Sequence, residues 1–333
     1  MELGFRNLRG GAPSDLTCLD FGATGVKVVR LKRSKDAVGV LGVDILPPVD
    51  LSSSSPARLP LPKALRANYA AVSIGGGKSI ANLVAIQQQT NSTKVDGQIK
   101  DQLGITDEFR LSYVELSSAR SKSGLKLLAA ATLETEIKNI LSITAHDPPA
   151  PCSCEIAPLS ALTAFQHGND KDAQDGGCFL EIGATTTYIF FTNRRKLLLL
   201  RRYDVGGQMI LEHIINEFQV DIDTAGEMMT EGAFDLSPIY LDTLGFLVRQ
   251  ITISRDFVER QENCHIAGIK ISGGAATSRW AEIVQNKTGI ETQILNPFET
   301  LNVPPDADYK NLMLTQSCRF SAAVGAGLGV FGQ

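Results

Sequence analysis

The 333-residue chain has no apolar run approaching the ~18–20 residues that a membrane-spanning helix needs. Its best candidates, LLAAATL from Leu127 and LLLL from Leu197, stop far short. The opening MELGFRNLRGGAPSD lacks the apolar core of a secretory signal. No one sign of charge dominates. Thirty-two Lys and Arg face 36 Asp and Glu, for a net charge of −4 and a pI near 5.7. That balance gives no electrostatic reason for nucleic acid or an anionic membrane to be the main partner.

Chemical motifs are absent too. Six cysteines stand at 18, 152, 154, 178, 264 and 318. Only Cys152 and Cys154 are close, and no second pair follows at zinc-site spacing. With His146 nearby they form one candidate metal site, set against the preferred reading of buried, reduced thiols in a cytoplasmic protein. GGGKS at 75–79 fails as a phosphate-binding P-loop, because Val72 occupies the place of its first glycine. It is expected to be a tight turn between strands. His213 has no serine or cysteine partner that would make a hydrolase. The basic run Arg194-Arg195-Lys196, with Arg201-Arg202, reads as a solvated turn or a partner contact.

What is present is a repeat. LDFGATGVKVVRL begins at Leu19, and LEIGATTTYIFFT at Leu180 repeats it position by position: Asp20 with Glu181, and Gly22-Ala23-Thr24 with Gly183-Ala184-Thr185. A chain of this length exceeds a single core, and the duplication predicts two α/β lobes. Strands are expected over Leu16–Leu31 with a hinge at Gly22–Gly25, over Val38–Leu46, as a pair in YAAVSIGGG and SIANLVAIQQQ, and over Arg110–Leu116 and 125–133. Helices are expected near 96–103, 135–146 and 155–166. Past a polar connection at 167–177, strands recur over 178–191, 196–203 and 265–272. A helix after Gly206-Gly207 shows Met209, Ile210, His213, Ile214 and Phe218 as its apolar side. Further helices are expected over 224–230, 240–259, from 278, and over SAAVGAGLGVF at 321–331.

A glycine-tipped hairpin lets backbone amides converge on an anion without side chains in the way. The hydroxyls of Thr24, Thr185 and Thr186 add donors, and Asp20 or Glu181 is placed to hold Mg²⁺ through water. Two such turns would grip a triphosphate from both sides, and Gly273-Gly274-Ala275 at a strand's end would border adenosine.

The order of these pieces resembles the actin-like ATPase superfamily. LDFGATGVKVVRL, EIAPLSALTAF, LEIGATTTYIFF, YDVGGQMILEHI, the stretch from Ile269 to Asn302 and AAVGAGLGV resemble the PilM family of type IV pilus assembly proteins. The resemblance implies a bilobal actin-like fold with an inserted α+β subdomain. Its first lobe would comprise 14–72, 153–172 and 318–333, and the insert 73–152. The second lobe would be 173–218 with 264–317, carrying a helical insert at 219–263. It implies ATP and Mg²⁺ held by Asp20, Gly22, Ala23, Thr24, Gly25 and Lys27 from the first turn. Gly183, Ala184, Thr185 and Thr186 would act from the second, with Gly206, Gly207, Gly273, Gly274 and Ala275, and with Asp20 and Glu181 on the metal. It implies a cytoplasmic protein at the inner face of the inner membrane. Its partners would be the cytoplasmic tail of a PilN-like membrane protein and other pilus-machine proteins. Homo-oligomerisation is left open; nucleic-acid binding and direct membrane insertion are not expected.

Departures from the family pattern temper the enzyme reading. Glu181 stands where aspartate is usual, and its extra methylene displaces a carboxylate that must be placed closely for Mg²⁺ and water. Gly226 and Met229 stand where a Glu and a Lys would clamp ribose and adenine. At most a slow ATPase is expected, with Glu181 as the catalytic candidate. Two alternatives are carried: an FtsA-like division filament, disfavoured by the uncharged GAGLGVFGQ end, and a small-molecule kinase, for which no aspartate base stands out.

Overall fold

The computed structural model describes residues 13–35, 37–76, 78–86, 92–116, 125–144, 148–168, 176–231 and 234–332. His146, Gly77 of GGGKS and most of the 167–177 connection lie outside them. The chain forms two compact units, residues 1–168 with 297–333, and residues 169–296.

The first unit is built on a five-stranded sheet. β1 (Asp15–Gly22), β2 (Gly25–Arg33) and β3 (Val38–Leu46) form an antiparallel meander, and β4 (Tyr69–Ile74) and β8 (Ala150–Ile156) extend it in parallel, in the order β3-β2-β1-β4-β8. β1 is apolar on both faces because both are covered. Leu16 and Cys18 enter one core, with Phe320, Val324 and Leu328. Leu19 and Phe21 enter the other, with Ile137, Ile140 and the loop residues Leu51 and Leu61. The Pro/Ser-rich stretch after β3 is therefore pinned rather than free, and Asn139 donates to the Leu51 and Ser53 carbonyls at 2.8 Å.

Between β4 and β8 the chain makes a second, antiparallel sheet, β5 (Ile80–Ile86), β7 (Leu125–Leu133) and β6 (Phe109–Glu115), backed by α1 (Ser92–Leu103) through Ile99 and Val95. The expected pairing of the 69–77 and 79–89 strands does not form, since β4 joins the large sheet and β5 the small one. The insert is also shorter than 73–152. β4 and β8 belong to the large sheet, and α2 (Glu134–Ile143) sends Ile137 and Ile140 into that sheet's core.

The second unit repeats the plan. β9 (Gly176–Ile182), β10 (Thr187–Asn193) and β11 (Lys196–Tyr203) form the meander; β12 (Gly268–Ser272) and β13 (Thr292–Ile294) add in parallel, in the order β11-β10-β9-β12-β13. Strand order and direction match the first sheet element for element. α4 (Gly207–Phe218), α5 (Ile222–Glu231), α6 (Ser237–Glu262) and α7 (Ser278–Thr288) share one core with this sheet, centred on Tyr240, Leu244, Ile251 and Trp280. The stripe expected on α4 is narrower than read: Ile210 and Ile214 are buried, whereas Met209 and Phe218 are exposed.

Residues 297–317, expected in the second lobe, pack on the first sheet instead. Phe298 lies against Phe320, Asn302 bridges to β3 at Gly39, and the Tyr309 hydroxyl donates to the Val40 carbonyl at 2.7 Å. α8 (Lys310–Gln316), which sequence reading missed, follows there. Glu155 and Ile156, read as helical, end β8 before α3 (Ala157–His167) begins.

α9 (Ser321–Phe331) closes the unit against α3. Its small residues are required by closeness: a β-carbon at Gly325 would run into the Ser160 carbonyl of α3. Backbone cannot retreat as a side chain can, so Gly325→Val should cost about 3 kcal/mol. Urea denaturation checks this; an unchanged midpoint would show that the two helices do not meet at this position.

Candidate nucleotide-binding turns

The first turn is set by the end of β1. In the β1–β2 register Asp20 faces Lys27, and Gly22 faces Gly25. Both charged residues are buried, with Lys27 Nζ 3.9 Å from Asp20 Oδ2 and donating to the Gly25 carbonyl at 3.2 Å. Ser73 of β4 donates to Asp20 Oδ1 at 3.1 Å. Burial pushes the Asp20 carboxyl above its ordinary range; Lys27 and the Ser73 hydrogen bond pull it back only in part. Lys27 thus lies under the turn as the counter-ion of Asp20. Ala23 and Thr24 form the exposed tip. Gly25, at φ +146°, is held so close to β3 that a β-carbon would lie 2.8 Å from the Leu46 carbonyl.

Besides Ser73, two further residues join this site that sequence reading did not single out. Across the parallel strands, Asp20 pairs with Ser73 and Ser73 with Glu155, so a carboxylate, a hydroxyl and a carboxylate share one row at the strands' carboxyl ends. That end of a parallel sheet is where ligands bind in open α/β folds. Glu155 is buried and accepts from Ser160 at 2.8 Å. Its signal was in the sequence, since Glu155-Ile156 repeats the acidic–apolar step of Asp20-Phe21 and Glu181-Ile182. The other is Arg319, whose guanidinium donates to Gln316 and, at 3.5 Å, to the Thr24 hydroxyl.

The second unit assembles its own set. Gly183 closes the β9–β10 turn by donating to the Thr186 carbonyl at 2.8 Å, leaving Thr185 exposed at the tip and Thr186 buried. Glu181 pairs in register with Ser272, as Asp20 does with Ser73. Gly206 and Gly207 do approach the turn, but as packing. The Gly207 and Gln208 amides at the start of α4 donate to the Gly183 and Ala184 carbonyls at 3.1 and 2.8 Å. A β-carbon on Gly206 would meet the Gly183 carbonyl at 2.6 Å. Gly273, at φ +108°, brings the β12 end onto Ile182, and the Ala275 amide donates to the Ile182 carbonyl at 3.1 Å; Gly274 is exposed. On α5, Gly226 is half-buried and Met229 packs against the core, so neither offers a polar group to a nucleoside.

The donor set suits a water-mediated Mg²⁺ better than a protein cage. That ion keeps several waters and needs one or two carboxylates, and Asp20, Ser73 and Glu155 supply that much. No cluster of three or more His, Cys, Asp or Glu fit for direct coordination exists among the described residues. The CxC candidate fails on geometry. A register irregularity in the β4–β8 pairing, at Ala70/Ala71, turns Cys152 into one core and Cys154 into the other. Burial also pushes the Cys154 thiol up to about 12, which keeps it protonated and a poor ligand.

Removing Lys27 tests the buried pair. Lys27 lowers the raised Asp20 pKa, so Lys27→Met should raise it further. The folded state then holds a proton that the unfolded state has lost, and stability falls as pH rises above the ordinary carboxylate value. Denaturation at about pH 5 and about pH 7.5 should show a loss of about 3 kcal/mol at the higher pH and less at the lower. Equal losses at both would refute the pairing.

The family description "Type IV pilus assembly protein PilM" matches residues 64–331. Among solved structures, a PilM-PilN type IV pilus biogenesis complex superposes with a TM-score of 0.74 at 18% identity, covering 96% of this chain and 99% of that one. Looser likenesses include the ethanolamine utilization protein EutJ from Carboxydothermus hydrogenoformans, at TM-score 0.47 and 12% identity over 96% and 93% of the two chains. An archaeal actin homolog in complex with ADP gives 0.46 at 11% identity over 96% and 100%. The duplicated sheets are those of the actin-like ATPase fold, and the chain belongs to the PilM family of type IV pilus assembly proteins.

Proposed function

We propose that this protein is the actin-like component of a type IV pilus, or related secretion, assembly machine, and that it docks the cytoplasmic tail of a PilN-like membrane protein. The observation that carries this reading is the family match over 64–331, joined to a fold that superposes along nearly its whole length on a PilM-PilN complex. The docking region is the first unit's small sheet with α1, an element with a core of its own. No helix among the described residues is long and apolar enough to cross a membrane, so a place at the inner face of the inner membrane would come through such partners. The division-filament and kinase alternatives have no comparable support.

Nucleotide serves this protein as an occupancy signal. Bound Mg²⁺-ATP would supply a transferable terminal phosphoryl group. The chain's part would be to hold it: the glycine turn of each unit, Gly22–Gly25 and Gly183–Thr186, offers hydroxyls and amides suited to phosphate, while Asp20, with Glu155 beside it, would hold Mg²⁺ through water. Lys27 keeps the Asp20 charge tolerable underneath. Glu181 sits at the second position with a longer reach, and Gly226 and Met229 offer no polar clamp, so affinity is modest and hydrolysis slow at most. A ligand of modest affinity can still shift partner binding if it prefers one conformation of the protein.

Calorimetric titration with Mg²⁺-ATP, and separately with a synthetic PilN-like tail, tests both halves. Tail binding is expected in every case, and nucleotide heat is expected to vanish in Gly183→Val/Thr185→Val. Retained nucleotide affinity in that variant would show the turns misassigned. Absence of tail binding would refute the assembly role.

A further inference from the structure

β11 is the outer strand of its sheet, and no strand pairs with its free edge among the described residues. It is reached through a two-residue turn, Arg194-Arg195, with both residues at positive φ, +48° and +61°. Such turns match the twist of a hairpin but favour Asn-Gly, because side chains are strained there. Here two arginines occupy the strained positions and Lys196 follows, all exposed.

Beside this strand runs a groove of about 300 Å³ between β11 and α6, lined by Leu199, Arg201 and Tyr203 on one side and by Gln250, Ile253 and Phe257 on the other. Ile253 and Phe257 are 55% and 48% exposed, and Phe246, which meets Tyr203 edge-on, is 51% exposed. On α6, Arg249 lies one helical turn before Ile253 and Arg260 one turn after Phe257, both exposed. Neighbouring carboxylates are already engaged: Asp204 with Arg202 at 2.9 Å, Asp256 with Arg255 at 2.7 Å, and Glu259 with His265 and the Ile266 amide. Arg201, Arg249 and Arg260 have no ion pair among the described residues.

We infer that this groove docks an extended segment of a partner protein whose groove-facing side chains, every second residue, are aliphatic and acidic in turn. An extended segment turns every second side chain to the same face. Lying along β11 it would satisfy the free edge by main-chain hydrogen bonds and, from that one face, direct aliphatic side chains toward Leu199, Ile253 and Phe257 and carboxylates toward Arg201 and Arg249. The concave groove and open edge fit a polypeptide better than a flat anionic bilayer. This site is independent of the nucleotide turns and of the first unit's small sheet.

The test uses the full chain and fluorescence anisotropy, with a labelled synthetic peptide that carries valine and glutamate in turn at every second position with serine between them, and a control with glutamine for glutamate. The acidic peptide should bind and the control should not. Arg201→Glu/Arg249→Glu should weaken binding by about tenfold or more, as should Phe257→Ser, with the heat of Mg²⁺-ATP titration unchanged. Because the arginine positions are solvent-facing, their variants keep the fold if Phe257→Ser does not. Absence of binding, equal binding of the two peptides, or undiminished binding by the arginine variant would overturn the proposal. So would preferential binding to phosphatidylserine vesicles, or self-association through this face in sedimentation velocity that Arg201→Glu abolishes.

Discussion

Everything in each unit is organised around one strand that has no free side. β1 and β9 are hydrogen-bonded on both edges, antiparallel to one neighbour and parallel to the other, and β1 is covered on both faces. A strand so placed is apolar along most of its length, and a polar group within it must find a partner, as Thr17 does by donating to the Leu65 carbonyl at 2.7 Å. The strand ends in both cases with a carboxylate, one apolar residue and a glycine turn. The turn's position at the carboxyl end of the parallel strands follows from the pairing and needs no further device. The same pairing brings Ser73 and Glu155 into line with Asp20, and Ser272 into line with Glu181.

The two turns are held by different means. The first has a buried ion pair beneath it, with Asp20 raised by desolvation and Lys27 drawn in to offset it. Burying a charge is unfavourable unless it is paired, and Lys27 supplies the pairing. The second turn has no lysine; Tyr188 stands in the position of Lys27, and its carbonyls are tied instead to the first amides of α4.

Most strands were legible because they are short apolar runs with glycine or charge at their ends; Val38–Leu46, Leu125–Leu133 and Lys196–Tyr203 end where the pattern ends. What the sequence hid was pairing. β4 and β5 are neighbours along the chain yet belong to different sheets, and nothing in YAAVSIGGGKSIANL marks the change. Residues 297–317 were assigned to the wrong unit because they follow the second sheet directly, and the contacts that claim them, Phe298 to Phe320 and Asn302 to β3, are long-range. The glycine turns and Asp20 were visible as a repeat. Arg319 was not, since it reaches Thr24 from a segment nearly three hundred residues away. The amides of Gly207 and Gln208 close the second turn instead of pointing outward, which no spacing rule could reveal.

We propose that the glycine turn of each unit meets phosphate. Amide resonances of the ¹⁵N-labelled protein, followed while a non-hydrolysable ATP analogue and Mg²⁺ are added, address it directly. Shifts in Gly22–Gly25 and in Gly183–Thr186 at a common ligand concentration are the predicted result. Saturable shifts elsewhere in the chain, with both turns unmoved, would contradict it.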